Sequence, residues 1–376
     1  MRISFSKIGF MFMLFLMMQK SFSQKVALSK MASISVLSCD AGSELYSIFG
    51  HSAIRVLEPG VFDIVFNYGY FDFRTPDFYR KFVQGDLNYF VAVDQYQDFY
   101  NQYVYEQRGV FEQKLQLSDA QKQAIFDELR FAVASDKRFY HYKFIDQNCT
   151  TMLVDVLNHH LDHKISTQIA DASKTNRTIL DDYSKKYFYE NMGINMLFGA
   201  KTDLSFDHIF LPMQLLEGIK NSTNNNKQLS ENVSVINKNS LQKNSFSFWN
   251  SFYSFLSILL FVLFFDKRWV QIGYFFSIGL IGVVLAFVGI ISNHVELMLN
   301  YNLLLFNPIM IIIAVFLMIK NQKIVSLLSL FCFLLLFCYS ILMVDKVHLR
   351  IFWPMILVHF VLFYRYFGFL LKGFKK

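Results

Sequence analysis

Residues 144–157 read FIDQNCTTMLVDVL, and the fold turns on them. Met152, Leu153, Val156 and Leu157 repeat at helical spacing, so the stretch predicts a helix from near Asn148 to about His160. Cys149 then falls in the first turn, with Asp146 or Asn148 available as cap. A helix N-terminus carries partial positive charge and free N–H groups. Both favour the thiolate, which is the nucleophile. The same N–H groups can stabilise an oxyanion when that thiolate attacks a carbonyl.

A thiolate nucleophile needs a base, and the candidate is His51 in SIFGHSAIRV (47–56). Gly50 permits a tight backbone entry into a strand, and a His at a strand start is held rigidly. Around it the sequence predicts strands at Ala32–Cys39 (ASISVLSC), Ser52–Leu57 (SAIRVL) and Asp63–Tyr68 (DIVFNY). Glu58-Pro59-Gly60 turns the last two into a hairpin. Ser118-Asp119 caps a further helix to Ala134, so this part of the chain is α+β. The imidazole also needs an orienting group. Asp63, Val65 and Asn67 share one face of the paired strand, so Asp63 or Asn67 could reach it. Cys39 offers a rival reading, in which it and Cys149 form one disulfide in an oxidising compartment.

Outward from residue 220 the character changes. Residues 221–245 are Asn/Ser/Lys-rich without an apolar period and read as a linker. Five apolar stretches follow, at Phe246–Phe265, Trp269–Ser292, Tyr301–Ile319, Ile324–Val344 and Ile351–Leu371, each near the length a membrane helix needs. At the other end, Arg2 and Lys7, the apolar run Ile8–Met18 and Ser21-Phe22-Ser23 read as a signal peptide over residues 1–23. The expected order is signal peptide, exported domain 24–220, linker 221–245, and an all-α five-helix membrane domain 246–376.

Composition agrees. The 376 residues are 54% hydrophobic and 17% charged, which excludes a disordered chain and points to a membrane. The net charge of +7 lies wholly beyond Ser247, among the apolar stretches, so it reflects membrane topology and not a nucleic-acid face. With residue 24 outside, Lys267/Arg268, Lys320/Lys323 and Lys372/Lys375/Lys376 fall inside, and the loop NHVELMLN falls outside. The loop Asp345–Arg350, of mixed charge, also falls outside. There Lys346, His348 and Arg350 would meet headgroups.

The order His-strand, polar strand, Cys at a helix start resembles the circularly permuted papain-like enzymes, including the NlpC-like and lecithin:retinol acyltransferase-like groups. More narrowly, ELYSIFGHSAIRV (44–56), VFNYGYFDF (65–73), KFVQGDLNY (81–89) and YKFIDQNCTTML (142–153) resemble the exported domain of the Lnb-type lipoprotein N-acyltransferase family. Weaker echoes lie at NRT (176–178), FGAKTD (198–203) and LPMQL (211–215). The resemblance implies a multi-pass protein of the bacterial inner membrane, with residues 24–245 on the periplasmic side. It implies acyl transfer from the diacylglyceryl ester of a lipoprotein to the α-amine of its N-terminal Cys. Cys149 would carry the acyl group as a thioester, and His51 would move the protons, without metal or other cofactor. Arg55, Tyr68, Asn148 and Arg350 are expected to line the substrate. The implied partners are diacylated lipoproteins and membrane lipid.

A cysteine peptidase or amidase acting on cell-wall peptides would use the same dyad, and a membrane receptor with a dead domain would use neither residue. The aromatic run Phe66, Tyr68, Tyr70, Phe71, Phe73, Phe78, Tyr79 and Phe82 suits a lipid interface, although core packing accounts for much of it. His159, His160 and His163 could offer metal ligands at i,i+4 spacing, but no Glu or Cys completes a site, which favours a solvated helix end. His359, at membrane depth, is expected to hydrogen-bond between helices.

Overall fold

The computed structural model describes residues 26–230, 232–240 and 246–373. The expected signal peptide lies outside the described residues.

Alternating β-formers make Ser33–Cys39 (β1), His51–Glu58 (β2) and Phe62–Tyr70 (β3) a meander, extended by Asn88–Gln95 (β4), Val110–Lys114 (β5) and Phe139–His141 (β6). With Ser234–Asn237 (β9) the sheet has seven strands, in the order β6-β4-β3-β2-β1-β5-β9, and each neighbouring pair is antiparallel. Both faces are covered. On one, Ile54, Val56 and Phe66 pack against Ile125 and Leu129 of helix Asp119–Ala134, Leu153 and Leu157 of helix Cys149–His160, and Leu215 of helix Pro212–Lys220. On the other, Leu37, Cys39, Ala53 and Val65 lie beneath Phe99 and Tyr103 of helix Tyr96–Tyr105. Ser118 and Gln121 form the capping box that starts the first of these helices, as the sequence suggests.

The reading of residues 221–245 as a linker needs correction. Thr223–Asn224 (β7) and Lys227–Gln228 (β8) form a small hairpin. Leu229 is fully buried in the core, and its carbonyl accepts from Gln116 N at 2.8 Å. β9 then closes the open edge of β5. An edge strand needs backbone partners and not an apolar period, so a polar stretch can supply it.

In the second half, four segments are long and apolar enough to cross a membrane: Arg268–Ile291, Val295–Met318, Gln322–Met343 and Leu349–Gly368. The first expected span is helical only over Phe252–Phe264. Its 13 residues rise about 20 Å, short of the roughly 30 Å hydrocarbon core. Val295–Met318 is regular α-helix only from Ile309, and two 3₁₀ turns precede it. The helices share a core that includes Phe275, Ile313, Tyr339, Phe352 and Phe363. His359 Nε2 lies 2.8 Å from Tyr274 Oη, the interhelical contact expected for it.

One end of this bundle grips the sheet domain. Tyr189 Oη meets Ser254 Oγ at 2.8 Å, Asn293 Nδ2 donates to Asp86 at 2.7 Å, and Tyr301 Oη donates to Asp203 at 2.8 Å. Asp203 also holds the buried Arg177 of the NRT stretch, at 2.7 Å. Arg350 pairs with Asp181. The far end carries Arg268, on the carbonyls of Leu317 and Met318, and Arg365, on Leu263 O and Asp266. The two ends therefore sort as the charge distribution suggests, with loops 292–308 and 345–350 on the side of the sheet domain.

Candidate active site

The start of helix Cys149–His160 is tightly specified. Asn148 Oδ1 accepts from Thr150 N at 2.9 Å and Thr151 N at 3.1 Å, while Thr151 Oγ1 accepts from Asn148 N at 2.8 Å. Asn148 Nδ2 donates to Phe144 O and Phe210 O at 2.9 and 3.0 Å. With the amide fully used, Asn148 is a buried cap and not a substrate contact. It sets Cys149 at the first helical position, where backbone N–H groups lack helical partners.

Cys149 is half-buried and free. Burial, the largest single influence, opposes its ionisation, and the His51 imidazole, by charge and hydrogen bond, is the strongest influence against it. The Ser52 backbone N–H and the Thr150 hydroxyl add to the effect, and together they hold the thiol below its usual range. Ser52 Oγ lies 3.0 Å from Thr150 Oγ1, tying the strand to the helix at this point. Cys39 is also free, so the expected alternative disulfide is not formed. It is fully buried opposite His51 in the β1–β2 register, and burial pushes its thiol up to about 12.

His51 opens β2 directly after Gly50, whose φ of +81° strains any residue with a side chain; an added Cβ there would also strike Cys39 O. His51 Nε2 lies 3.1 Å from Asn67 Oδ1. Asn67 Nδ2 donates to Asp94 Oδ2 at 2.8 Å, and Tyr70 Oη donates to the same oxygen at 2.7 Å. The carboxylate accepts only, so it fixes which end of the Asn67 amide faces His51. His51 Nε2 must then carry the hydrogen, and Nδ1 is left basic for Cys149. Gly69, whose φ of +102° favours glycine, lies beside the nucleophile: a Cβ there would sit at ordinary contact distance, 3.6 Å, from Cys149 Cβ.

Of the two orienting candidates, the structure brings Asn67 and not Asp63. The β2–β3 register sets Asn67 opposite Ala53 and Asp63 opposite Leu57. Asp63 does share the face, but four residues of strand carry it about 13 Å away. There it pairs with Arg55, Oδ1 to Nε at 2.8 Å and Oδ2 to Nη2 at 2.6 Å. Arg55 also binds Glu112 and stacks on Tyr96 at 3.4 Å, so it is a surface clasp away from the thiol. Tyr68 is buried on the other sheet face against Tyr140 and lines no accessible surface. Arg350 is committed to Asp181. The four expected substrate contacts thus resolve into a cap, two ion-pair clasps and a core residue.

Sequence reasoning missed Asp94, Tyr70, Ser52 and Thr150. Asp94 is the penultimate residue of the run NYFVAVDQ, an acid on a sheet strand, which is the one signal that could have marked it. The histidines 159 and 160 are both held by Glu128, at 3.1 and 2.6 Å, and among the described residues no group of three metal-ligating side chains forms.

Two family models match the chain. One describes the Lnb N-terminal periplasmic domain and covers residues 18–182, including His51, Asn67, Asp94 and Cys149. The other describes the Lnb transmembrane domain and covers residues 265–376. No curated protein and no solved structure matches.

Proposed function

Because this chain belongs to the Lnb family through both of its domains, we propose that it is a cysteine-dependent lipoprotein N-acyltransferase of the bacterial inner membrane. Its periplasmic domain is of the permuted papain-like kind, and the shorter apolar helix Phe252–Phe264 joins the four long helices in the membrane, with Phe246 and Trp249 in the headgroup belt. The observation that carries the reading is the hydrogen-bonded line His51–Asn67–Asp94, with His51 close enough to Cys149 to favour its thiolate.

The chemistry balances with these residues. The Cys149 thiolate attacks the ester carbonyl of the diacylglyceryl group, and the oxyanion is met by N–H groups at the helix start. Imidazolium His51 gives its proton to the departing glyceryl oxygen, leaving a thioester, a free hydroxyl and neutral His51. The neutral α-amine of the lipoprotein then attacks the thioester. His51 takes the proton the amine loses, an amide forms, and Cys149 leaves as thiolate beside imidazolium, as at the start. Asn67 keeps the ring in the required tautomer throughout.

The test is mass spectrometry of a diacylated lipopeptide incubated with the full-length protein in lipid nanodiscs. The reading requires an N-acylated, O-monoacyl product of unchanged total mass, and an acyl adduct on Cys149 on quenching. Loss of the acyl chain to water, or cleavage of a peptide, would instead indicate a hydrolase.

A further inference from the structure

The aromatic run of the sheet domain splits in two. Phe66 and Tyr68 are buried in the core, whereas Phe73, Tyr79 and Phe82 are 69%, 79% and 39% exposed. The exposed rings form one patch around Phe78. Phe73 lies 5.0 Å from that ring, Tyr79 meets it edge-on at 5.3 Å, and Phe82 stacks on it at 6.3 Å. Arg74 and Arg80 border the patch, each exposed and paired with an aspartate. A contiguous apolar patch with a polar rim marks an interaction surface.

Its place in the fold says what covers it. The segment is docked on the outer end of the span Arg268–Ile291: Asn293 N donates to Gln84 O at 2.8 Å, and His294 Nε2 donates to Phe82 O at 3.1 Å. Ile290, three residues before Asn293, is 82% exposed on that span. The patch therefore stands about one helical turn, roughly 5 Å, above a lipid-facing side chain. Aromatic rings beside charged heads suit that level of a bilayer.

The patch also leads back to the nucleophile. Phe73, Phe71, Tyr89 and Tyr142 follow one another at 4.9, 5.3 and 4.7 Å, and Tyr142 feels the charge of Cys149. Gly69, against Cys149, precedes Phe73 by four residues, at most about 14 Å of chain. The turn on which the patch docks also fixes the loop that runs into Cys149. Glu296 Oε1 accepts from Ile145 N at 3.0 Å, and the His294 ring packs 4.9 Å from Phe144.

We propose that Phe73, Tyr79 and Phe82 form a lip set in the outer leaflet, which holds the donor's fatty acyl chain while its ester carbonyl lies at Cys149. The inference rests on the acyltransferase reading. The span from lip to thiol is within the length of one long acyl chain, so the chain's tail stays among lipid while its carboxyl end reaches the thiol.

Two measurements on the full-length protein test this. In a Cys149→Ser/Cys332→Ser/Cys338→Ser background, Phe73→Cys and Tyr79→Cys are labelled with an environment-sensitive fluorophore in phosphatidylcholine–phosphatidylglycerol vesicles. Val61→Cys, in the exposed turn at the other end of β3 and about 26 Å away along the strand, is the control. Lipids carrying a nitroxide on the acyl chain should quench the two lip labels at least about twofold more than the control. Equal quenching at all three positions would overturn the proposal. The second measurement compares wild type, Phe73→Asp/Tyr79→Asp and Phe73→Leu/Tyr79→Leu on a dipalmitoyl lipopeptide in the vesicles and on a dihexanoyl lipopeptide added from water. The Asp pair should lose about tenfold or more on the long-chain donor, as expected for one lost apolar contact, and stay within about twofold on the short one. The Leu pair should retain most of the long-chain rate. Equal losses on both donors would reduce the rings to packing, and no loss on either would also overturn the lip. If wild type acylates neither peptide, the acyltransferase reading falls and the donor role with it, while the quenching still decides whether the lip lies in the bilayer.

Discussion

The imidazole of His51 and the side-chain amide of Asn67 meet at 3.1 Å, and that contact sets which ring nitrogen is left for Cys149. Asn67→Ala should lower kcat by about 10²-fold, because the ring loses both its orientation and its tautomer. Asp94→Asn should cost less, about tenfold, since the Asn67 amide is then free to turn over. Steady-state kinetics on one lipopeptide checks the order. An Asp94 variant as damaged as the Asn67 variant would argue that the carboxylate acts directly.

Cys149→Ser should abolish adduct and product, whereas Cys332→Ser and Cys338→Ser should leave both intact. His51→Ala should lose about 10²- to 10⁴-fold, the range of a missing general acid–base. The Cys149/His51 double variant should be no worse than the worse single one, because the two act as a unit. Losses that multiply would break the dyad.

Alkylation gives a pH prediction. The thiolate is present above the thiol's pKa, and that of Cys149 is lowered, so iodoacetamide should label it at lower pH than an ordinary thiol. His51→Ala removes the strongest opposing influence and leaves burial, so the labelling profile should move to higher pH. Cys39, pushed up to about 12, should stay unlabelled across the neutral range. Peptide mapping of the labelled protein at stepped pH reads all three outcomes.

Arg350 and Asp181 tie the last membrane helix to the sheet domain. Arg350→Ala leaves a carboxylate only 1% exposed with the Nδ2 groups of Asn191 and Asn195 as partners. A loss of about 1–3 kcal/mol is expected, and adding Asp181→Asn should recover part of it. Thermal unfolding of the four forms in one detergent measures the coupling, and strict additivity would show that the pair contributes nothing.

The same tie makes a topology prediction. Asp345, exposed in the adjoining loop, should face the periplasm with Cys149. Asp345→Cys, in a Cys332→Ser/Cys338→Ser background, should react with an impermeant maleimide in intact spheroplasts. Reaction only after lysis would overturn the orientation.

What was legible in the sequence was local. Cys149 at a helix start follows from a cap and a spacing within twelve residues, and His51 from a glycine and an alternating strand. Asp63 and Asn67 could not be separated, because both lie on the correct face and only the hairpin register decides which one ends beside His51. Asp94 was hidden for a similar reason, since its role comes from a strand pairing across the sheet. β9 looked like linker because an edge strand is recruited by backbone groups that leave no trace in side-chain type. Charge placed the loop NHVELMLN on the outer side, but nothing in a lone Glu announced that it would be buried against the loop of another domain.

The last strand of the sheet has a consequence for how substrate arrives. β9 ends at Asn237, and the short apolar helix starts at Phe252, so the sheet domain is joined to the helices from its own edge strand as well as through the docked loops. The thiol therefore stays at a fixed height above the lipid. On the proposed reading, a lipid-anchored substrate drifting in the same leaflet would meet it by lateral diffusion, and encounter frequency would follow density per unit area of membrane. At constant bulk amounts, turnover should fall as excess lipid is added to the vesicles, a dilution that an enzyme fed from water would not feel.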